Sequence, residues 1–89
     1  MKLVNIGFGN FVSLERVVSI IGPDSAPLKR MIQRAREEGK IIDATFGRKT
    51  RSIINLDSDQ IVLSALQPET LVARIDPKNN EENEEENNA

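Results

Sequence analysis

Cysteine, histidine, tryptophan and tyrosine are all missing from the 89 residues of this chain, and there are only three phenylalanines. Without cysteine there is no disulfide framework, no thiolate metal site and no cysteine nucleophile. Without histidine the commonest general base and the commonest zinc ligand are gone. Two of the three aromatic platforms for nucleobases are absent as well. No apolar run approaches the roughly 20 residues of a membrane span. The opening Met1-Lys2-Leu3-Val4 is interrupted by Asn5 and Gly7 too soon for a signal peptide. These exclusions leave the expectation of a soluble, cytoplasmic protein with no membrane contact, no cofactor and no small-molecule ligand. The length allows one small domain, expected over residues 1–76. A domain of that size leaves much apolar surface near water, and self-association is a common remedy.

Negative charge dominates the whole chain but not its body. The formal net charge is −2, yet residues 77–89 hold Lys78 against Glu81, Glu82, Glu84, Glu85 and Glu86, a net −4. Residues 1–76 therefore carry +2. Within residues 29–51 the balance reaches +5, from Lys29, Arg30, Arg34, Arg36, Lys40, Arg48, Lys49 and Arg51 against Glu37, Glu38 and Asp43. Basic character gathered in one part of a chain is how an electrostatic footprint for a polyanion looks.

The pattern along the chain is α+β. Residues 3–8 and roughly 11–21 read as two strands, separated by the turn formers Gly7-Phe8-Gly9-Asn10. Gly22-Pro23 breaks that pattern. A helix follows, capped by Asp24 or Ser25, with Pro27 in its first turn. Its apolar stripe is Leu28, Met31, Ile32 and Ala35, and Gly39 stops it. Its basic residues lie off the stripe, where a solvated face explains them and Arg34 can pair with Glu37 or Glu38. Residues 40–45 form a short strand, and Phe46-Gly47-Arg48-Lys49-Thr50 a loop. Residues 51–56 and 60–66 read as two strands joined by a hairpin turn over Asp57-Ser58-Asp59-Gln60. The aspartates of that turn lack the rest of a calcium loop. Pro68 opens a final short helix with Leu71, Val72 and Ile75 on one side. The Asn/Glu-rich tail has nothing to bury and is expected to be disordered. About five short strands, one longer helix and one short helix make a mainly antiparallel sheet domain. Short strands leave edges, which a neighbouring subunit can cover.

Catalytic chemistry finds little purchase. Gly7-Phe8-Gly9 lacks the rest of a dinucleotide fingerprint and is explained by a tight turn. No Ser/Lys or paired-carboxylate spacing stands out. The basic loop has more to offer. Gly47 frees the backbone so that Arg48 and Lys49 can project from a turn, and Thr50 adds a hydroxyl. Arginine offers a planar fork for phosphate or guanine, lysine a compact charge for phosphate. Equally, basic residues beside apolar strands serve as gatekeepers against aggregation. Arg16, set among apolar residues in Ser13-Leu14-Glu15-Arg16-Val17-Val18, favours the contact reading.

Several segments, taken in order, resemble one family. They are "NIGFGNFVS", "PDSAPLKRMIQRAREEGKIIDAT", "GRKTR", "LDSDQIVLS" and "QPET", which together span about residues 3–76. They are similar to the RemA family, bacterial regulators of extracellular-matrix genes. The resemblance implies a DNA-binding transcriptional activator of biofilm matrix operons that lacks a standard helix-turn-helix. It implies a subunit related to the LytTR type of DNA-binding domain and a ring-shaped homo-oligomer, an octamer in the best-described case. Double-stranded DNA would wrap around that ring at the nucleoid. The family's DNA-contacting basic positions fall on Arg16, Arg48 and Lys49, and Arg51 belongs to the same motif. Lys49 stands where some relatives carry arginine, which favours phosphate contact there.

Two rivals use the same loops. An RNA-binding ring would need aromatic stacking, for which only Phe8, Phe11 and Phe46 are available, and two of these are expected to be buried. A purely structural oligomer would pair its basic loops with acidic tails.

Overall fold

Residues 53–54 and 61–63 are apolar at consecutive positions rather than alternate ones, the pattern of strands covered on both faces. The computed structural model, which describes residues 1–24 and 26–76, shows what covers them. The order is β1 (Leu3–Gly7), β2 (Asn10–Ser13), a single 3-10 turn (Leu14–Arg16), β3 (Val17–Ile21), α1 (Ala26–Glu37), β4 (Ile41–Asp43), β5 (Ser52–Leu56), β6 (Ile61–Ser64) and α2 (Pro68–Ile75). Strands β1 and β2 form an antiparallel hairpin. The other four make a mixed sheet in the order β3-β5-β6-β4, antiparallel except for the parallel β4–β6 pair.

Successive residues of a strand face opposite sides, so Ile53 and Ile54 enter two different cores. Ile53, Ile61 and Leu63 pack with Ala35, Leu28 and Ile32 of α1. Ile54 and Val62 pack with Ile6 of β1, Leu71 of α2 and Ala44, backed by Val12, Val17 and Leu66. The central sheet is thus sandwiched between α1 and a layer made of the β1–β2 hairpin with α2. Ile53, Ile54 and Leu71 are at most 1% exposed. Each such side chain contributes roughly 1.5–3 kcal/mol on burial. Two polar bonds fasten α2 to the N-terminal segment: Arg74 donates to the Asn5 carbonyl and Lys2 to the Ile75 carbonyl.

Four local expectations need correction. The strand expected over roughly 11–21 is two strands in different sheets. Leu14 donates its N–H to the Lys2 carbonyl at the hairpin's end, and one 3-10 turn then carries the chain across to pair with β5. A register shift between Val17 and Ser19 leaves Val18 outside the core. On α1, Met31 sits at the rim of the stripe rather than beneath it. On α2, Val72 is exposed and Leu71 alone is fully buried. Glu38 bonds Lys40 at 3.3 Å, and neither ion pair found among the described residues involves Arg34. The proposed Ser25 cap and the acidic tail lie outside the described residues.

Candidate nucleic-acid interface

The basic loop is held by its own first residues. Asp43, at the end of β4, accepts hydrogen bonds from the Thr45 hydroxyl at 2.6 Å and the Thr45 N–H at 2.9 Å. These two bonds, the hydroxyl's above all, hold the Asp43 carboxyl below its ordinary range, with the charge of Arg36 adding to the effect. Arg48 N–H then returns to the Thr45 carbonyl at 3.0 Å, closing a four-residue turn. Its central residues, Phe46 and Gly47, both have positive φ, 54° and 78°, as a type I′ turn requires. Gly47 is at home there. Phe46 is not, and a side chain in that region costs roughly 1–2 kcal/mol.

A second turn does the same thing nearby. Between β1 and β2, Gly7, Phe8 and Gly9 all have positive φ, with Phe8 at 55°. Asn5 accepts from the Gly7 N–H at 2.8 Å and Asn10 donates to the Gly7 carbonyl at 3.0 Å, which fixes the turn from both sides. The two strained phenylalanines meet. Their ring centroids are 5.5 Å apart with planes 27° from parallel, and the Arg48 guanidinium lies 5.9 Å over the Phe8 ring.

Beside Phe8 is an open hollow of about 420 Å³, lined by Phe8, Arg48, Lys49, Arg51, Ala65 and Leu66. Leu66, one of its lining residues, is anchored by two buried serines at the ends of β5 and β6. Ser52 donates to the Leu66 carbonyl, and Ser64 donates to the Ile6 carbonyl while accepting from the Leu66 N–H. The hollow is lined by three cations and no carboxylate, and no ion pair among the described residues engages Arg48, Lys49 or Arg51. A larger groove of about 760 Å³ runs between α1 and the β5–β6 turn. Its charges are mixed, with Arg34 and Lys40 against Glu38, Asp57 and Asp59, so it offers a polyanion no advantage.

The four basic residues singled out from the sequence do not converge in one chain. Arg48, Lys49 and Arg51 stand together where β5 begins. Arg16 lies at the other end of that strand, ion-paired with Asp57 at 3.2 Å, while the Asp57 N–H donates to the Arg16 carbonyl. Residues 51 and 57 bound the strand, so the separation is roughly 20 Å at the rise of a β-strand. Arg16 remains 70% exposed in spite of its partner.

The phenylalanines are the main surprise. Two were expected to be buried, whereas Phe8, Phe11 and Phe46 are 51%, 57% and 83% exposed. Phe11 pairs with Asn5 across the hairpin and points away from the inward-facing Val12, and the other two sit at turn tips. For Phe8 and Phe46 the signal was present in the residues beside them, Gly7 and Gly9 for the first and Gly47 for the second, because a phenylalanine next to glycine in a reversal cannot easily reach a core that strands supply.

Fold and site define a small mixed α+β protein whose distinctive surface is a cationic pole carrying a stacked aromatic pair. The chain belongs to the RemA-like family: the family model described as extracellular matrix regulatory protein A-like matches residues 3–75. It is 58% identical over 78 residues to the extracellular matrix regulatory protein A of Bacillus subtilis, covering 88% of each chain. It is 60% identical over 80 residues to a protein of Alkaliphilus oremlandii named as a regulatory protein, covering 90% of this chain and 86% of the relative. A similarly named protein of Carboxydothermus hydrogenoformans is 55% identical over 82 residues, covering 92% and 94% respectively.

Proposed function

We propose that this chain regulates transcription by binding double-stranded DNA as a closed, ring-shaped homo-oligomer, an octamer by family resemblance, around which the DNA wraps. Arg16, Arg48, Lys49 and Arg51 are its DNA contacts, and its role is non-enzymatic. The observation that carries this reading is the hollow lined by Arg48, Lys49 and Arg51 with no carboxylate among its lining residues. Cations left without carboxylate partners on a folded surface are free to neutralise phosphate.

Repetition supplies what one chain lacks. A body with a net charge of +2 is a weak ligand for DNA, but affinity rises with every phosphate neutralised and counterion released. Self-association also answers to the surface. The sheet has open edges at β3 and β4, and Leu3, Phe11, Val18 and Ile42 expose apolar side chains. In a ring, the Arg16 end of one subunit can stand beside the Arg48 end of its neighbour, joining contacts that a single chain holds apart. The matrix-gene role is that named for the Bacillus subtilis relative, and the LytTR kinship of the subunit belongs to the same reading.

The exposed phenylalanines favour a second reading, a ring that binds RNA or single strands by stacking. One experiment separates them. Binding to duplex DNA, structured RNA and single strands is measured across a salt series, with mass by light scattering on the same samples. Tightest binding to duplex, with a steep salt slope and a mass several times 9.9 kDa, is expected. A monomer at micromolar concentration, or tighter binding to single strands, refutes the reading.

A further inference from the structure

Phe46 is the large side chain that the fold treats most wastefully. Its ring is 83% exposed, so burial returns little, and its backbone is held at a φ of 54° that disfavours a bulky side chain. Phe8, at a φ of 55° and 51% exposed, backs it from a separate turn. Two independent reversals are thus strained to put one ring behind another at the surface. Arg48, which follows Phe46 by two residues, lies over the Phe8 ring, so the aromatic pair and the phosphate-directed cations form one unit.

We propose that Phe46, braced by Phe8, is a wedge that inserts from the minor groove between two bases of duplex DNA and partly unstacks them. This rests on the duplex reading above and deepens it. The charge of the surroundings selects the partner class. A second copy of this basic pole, or any cationic protein surface, is repelled by Arg48, Lys49 and Arg51, whereas a nucleic acid brings phosphate to all three. The arrangement of the rings selects the mode. A single-strand platform lays out separate aromatic faces for successive bases. Here the rings are spent on each other, which leaves one protruding ring, stiffened from behind by a ring that stands among cations. That is the form of an apolar wedge, which kinks a duplex and lets it follow a curved protein surface. The wedge also gives a non-sequence-reading set of phosphate contacts a preference. Pyrimidine–purine steps unstack at lowest cost, so sites carrying TA or CA steps at the wedge positions bind better than stiff A-tracts.

The test uses Phe46→Asn, because asparagine tolerates positive φ and so removes the ring without adding backbone strain. Phe46→Tyr keeps the ring and serves as the rescue. Duplexes of equal length are compared, one with TA steps that carry 2-aminopurine in place of adenine and one built on A-tracts. Wild-type protein and Phe46→Tyr should brighten the 2-aminopurine on binding and prefer the TA duplex. Phe46→Asn should keep the oligomer mass, melting temperature and salt slope of the wild type. It should lose the fluorescence rise and the TA preference, and bind the TA duplex at least about fivefold more weakly, the low end of one stacking contact.

Wild-type affinity, fluorescence and preference retained in Phe46→Asn would overturn the wedge while leaving duplex binding intact. So would a changed oligomer mass, which would make the ring pair a subunit contact. Wild-type binding to duplex with no rise in fluorescence also overturns it. If the wild type does not bind duplex at all, the underlying reading falls and takes the wedge with it.

Discussion

Replacing Arg48 by alanine removes a guanidinium that touches little of its own protein. The side chain lies over Phe8 at 5.9 Å and takes part in neither ion pair found among the described residues. Removing an exposed cation–π interaction costs about 0.5–1 kcal/mol, and 1 kcal/mol lowers the melting temperature of a domain this size by roughly 4–8 °C. The melting temperature should therefore drop by about 2–8 °C. Binding should respond quite differently. Truncating a DNA-contacting arginine to alanine costs ~1–3 kcal/mol, and a ring that engages DNA through only two subunits incurs that cost twice. A total of ~2–6 kcal/mol weakens Kd by roughly 30-fold to 25,000-fold. The slope of log K against log salt should flatten by about 0.9 for each phosphate contact removed, hence by about 1.8 for two subunits. Arg48→Lys should hurt more than Lys49→Arg, because a point charge cannot replace a fork where two acceptors are engaged. The assay is fluorescence anisotropy with duplex DNA at four or more salt concentrations, with light scattering on the same protein. If the oligomer falls apart, the loop is an interface element. If mass, affinity and slope all stay intact, Arg48 belongs to a solvated turn and the reasoning fails.

Three further outcomes follow from the geometry. Asp57→Asn releases Arg16 from its 3.2 Å partner and removes a carboxylate beside it, so DNA affinity should rise and the salt slope steepen; an unchanged isotherm would remove Arg16 from the contact surface. Thr45→Val deletes the hydroxyl bond to Asp43, whose folded-state carboxyl should titrate below the ordinary 3.8 in the wild type and move up towards it in the variant, as read by NMR. Since the folded value is the depressed one, this bond's contribution to stability is complete above the unfolded value and vanishes as pH falls through the folded one, so wild type and variant should converge in acid. Truncation after Asp76 removes five glutamates per subunit and should leave the melting temperature nearly unchanged while raising affinity for DNA at low salt; weaker binding by the shortened chain would contradict this.

Elements that bury one clear pattern were legible from the residues alone. The Leu28, Ile32 and Ala35 spacing gave α1 and its buried face, and residues 51–56 and 60–66 read as the strands that are β5 and β6. What failed were features decided by partners far along the chain. Nothing local in Ser13-Leu14-Glu15-Arg16 says that the strand before it pairs with β1 and the strand after it with β5. The parallel β4–β6 pair is equally silent, because β4 is three residues long and its direction is set by the path of α1 across the sheet. At the site, the basic cluster was visible as charge in four positions, whereas its aromatic partner was not. Phe8 and Phe46 are 38 positions apart, and only the closure of both turns beside Leu66 brings their rings together.

That arrangement also bears on how the proposed DNA binding is compatible with an acidic chain. Charges communicate through salt water over about 10 Å at 0.1 M ionic strength. Arg48, Lys49 and Arg51 line one hollow and lie well within that range of each other, so an approaching phosphate meets all three together. Net charge is therefore the wrong measure, since a carboxylate counts against the hollow only when it stands within about that length of it. The same length isolates Arg16. At roughly 20 Å, the span of six strand residues, it stands two screening lengths from the cluster and cannot strengthen the field there. Arg16 and the cluster act on the same duplex only if the DNA itself spans β5 or a neighbouring subunit closes the gap. In the proposed ring the second route is open, and the +2 of one body understates the surface that a duplex would meet.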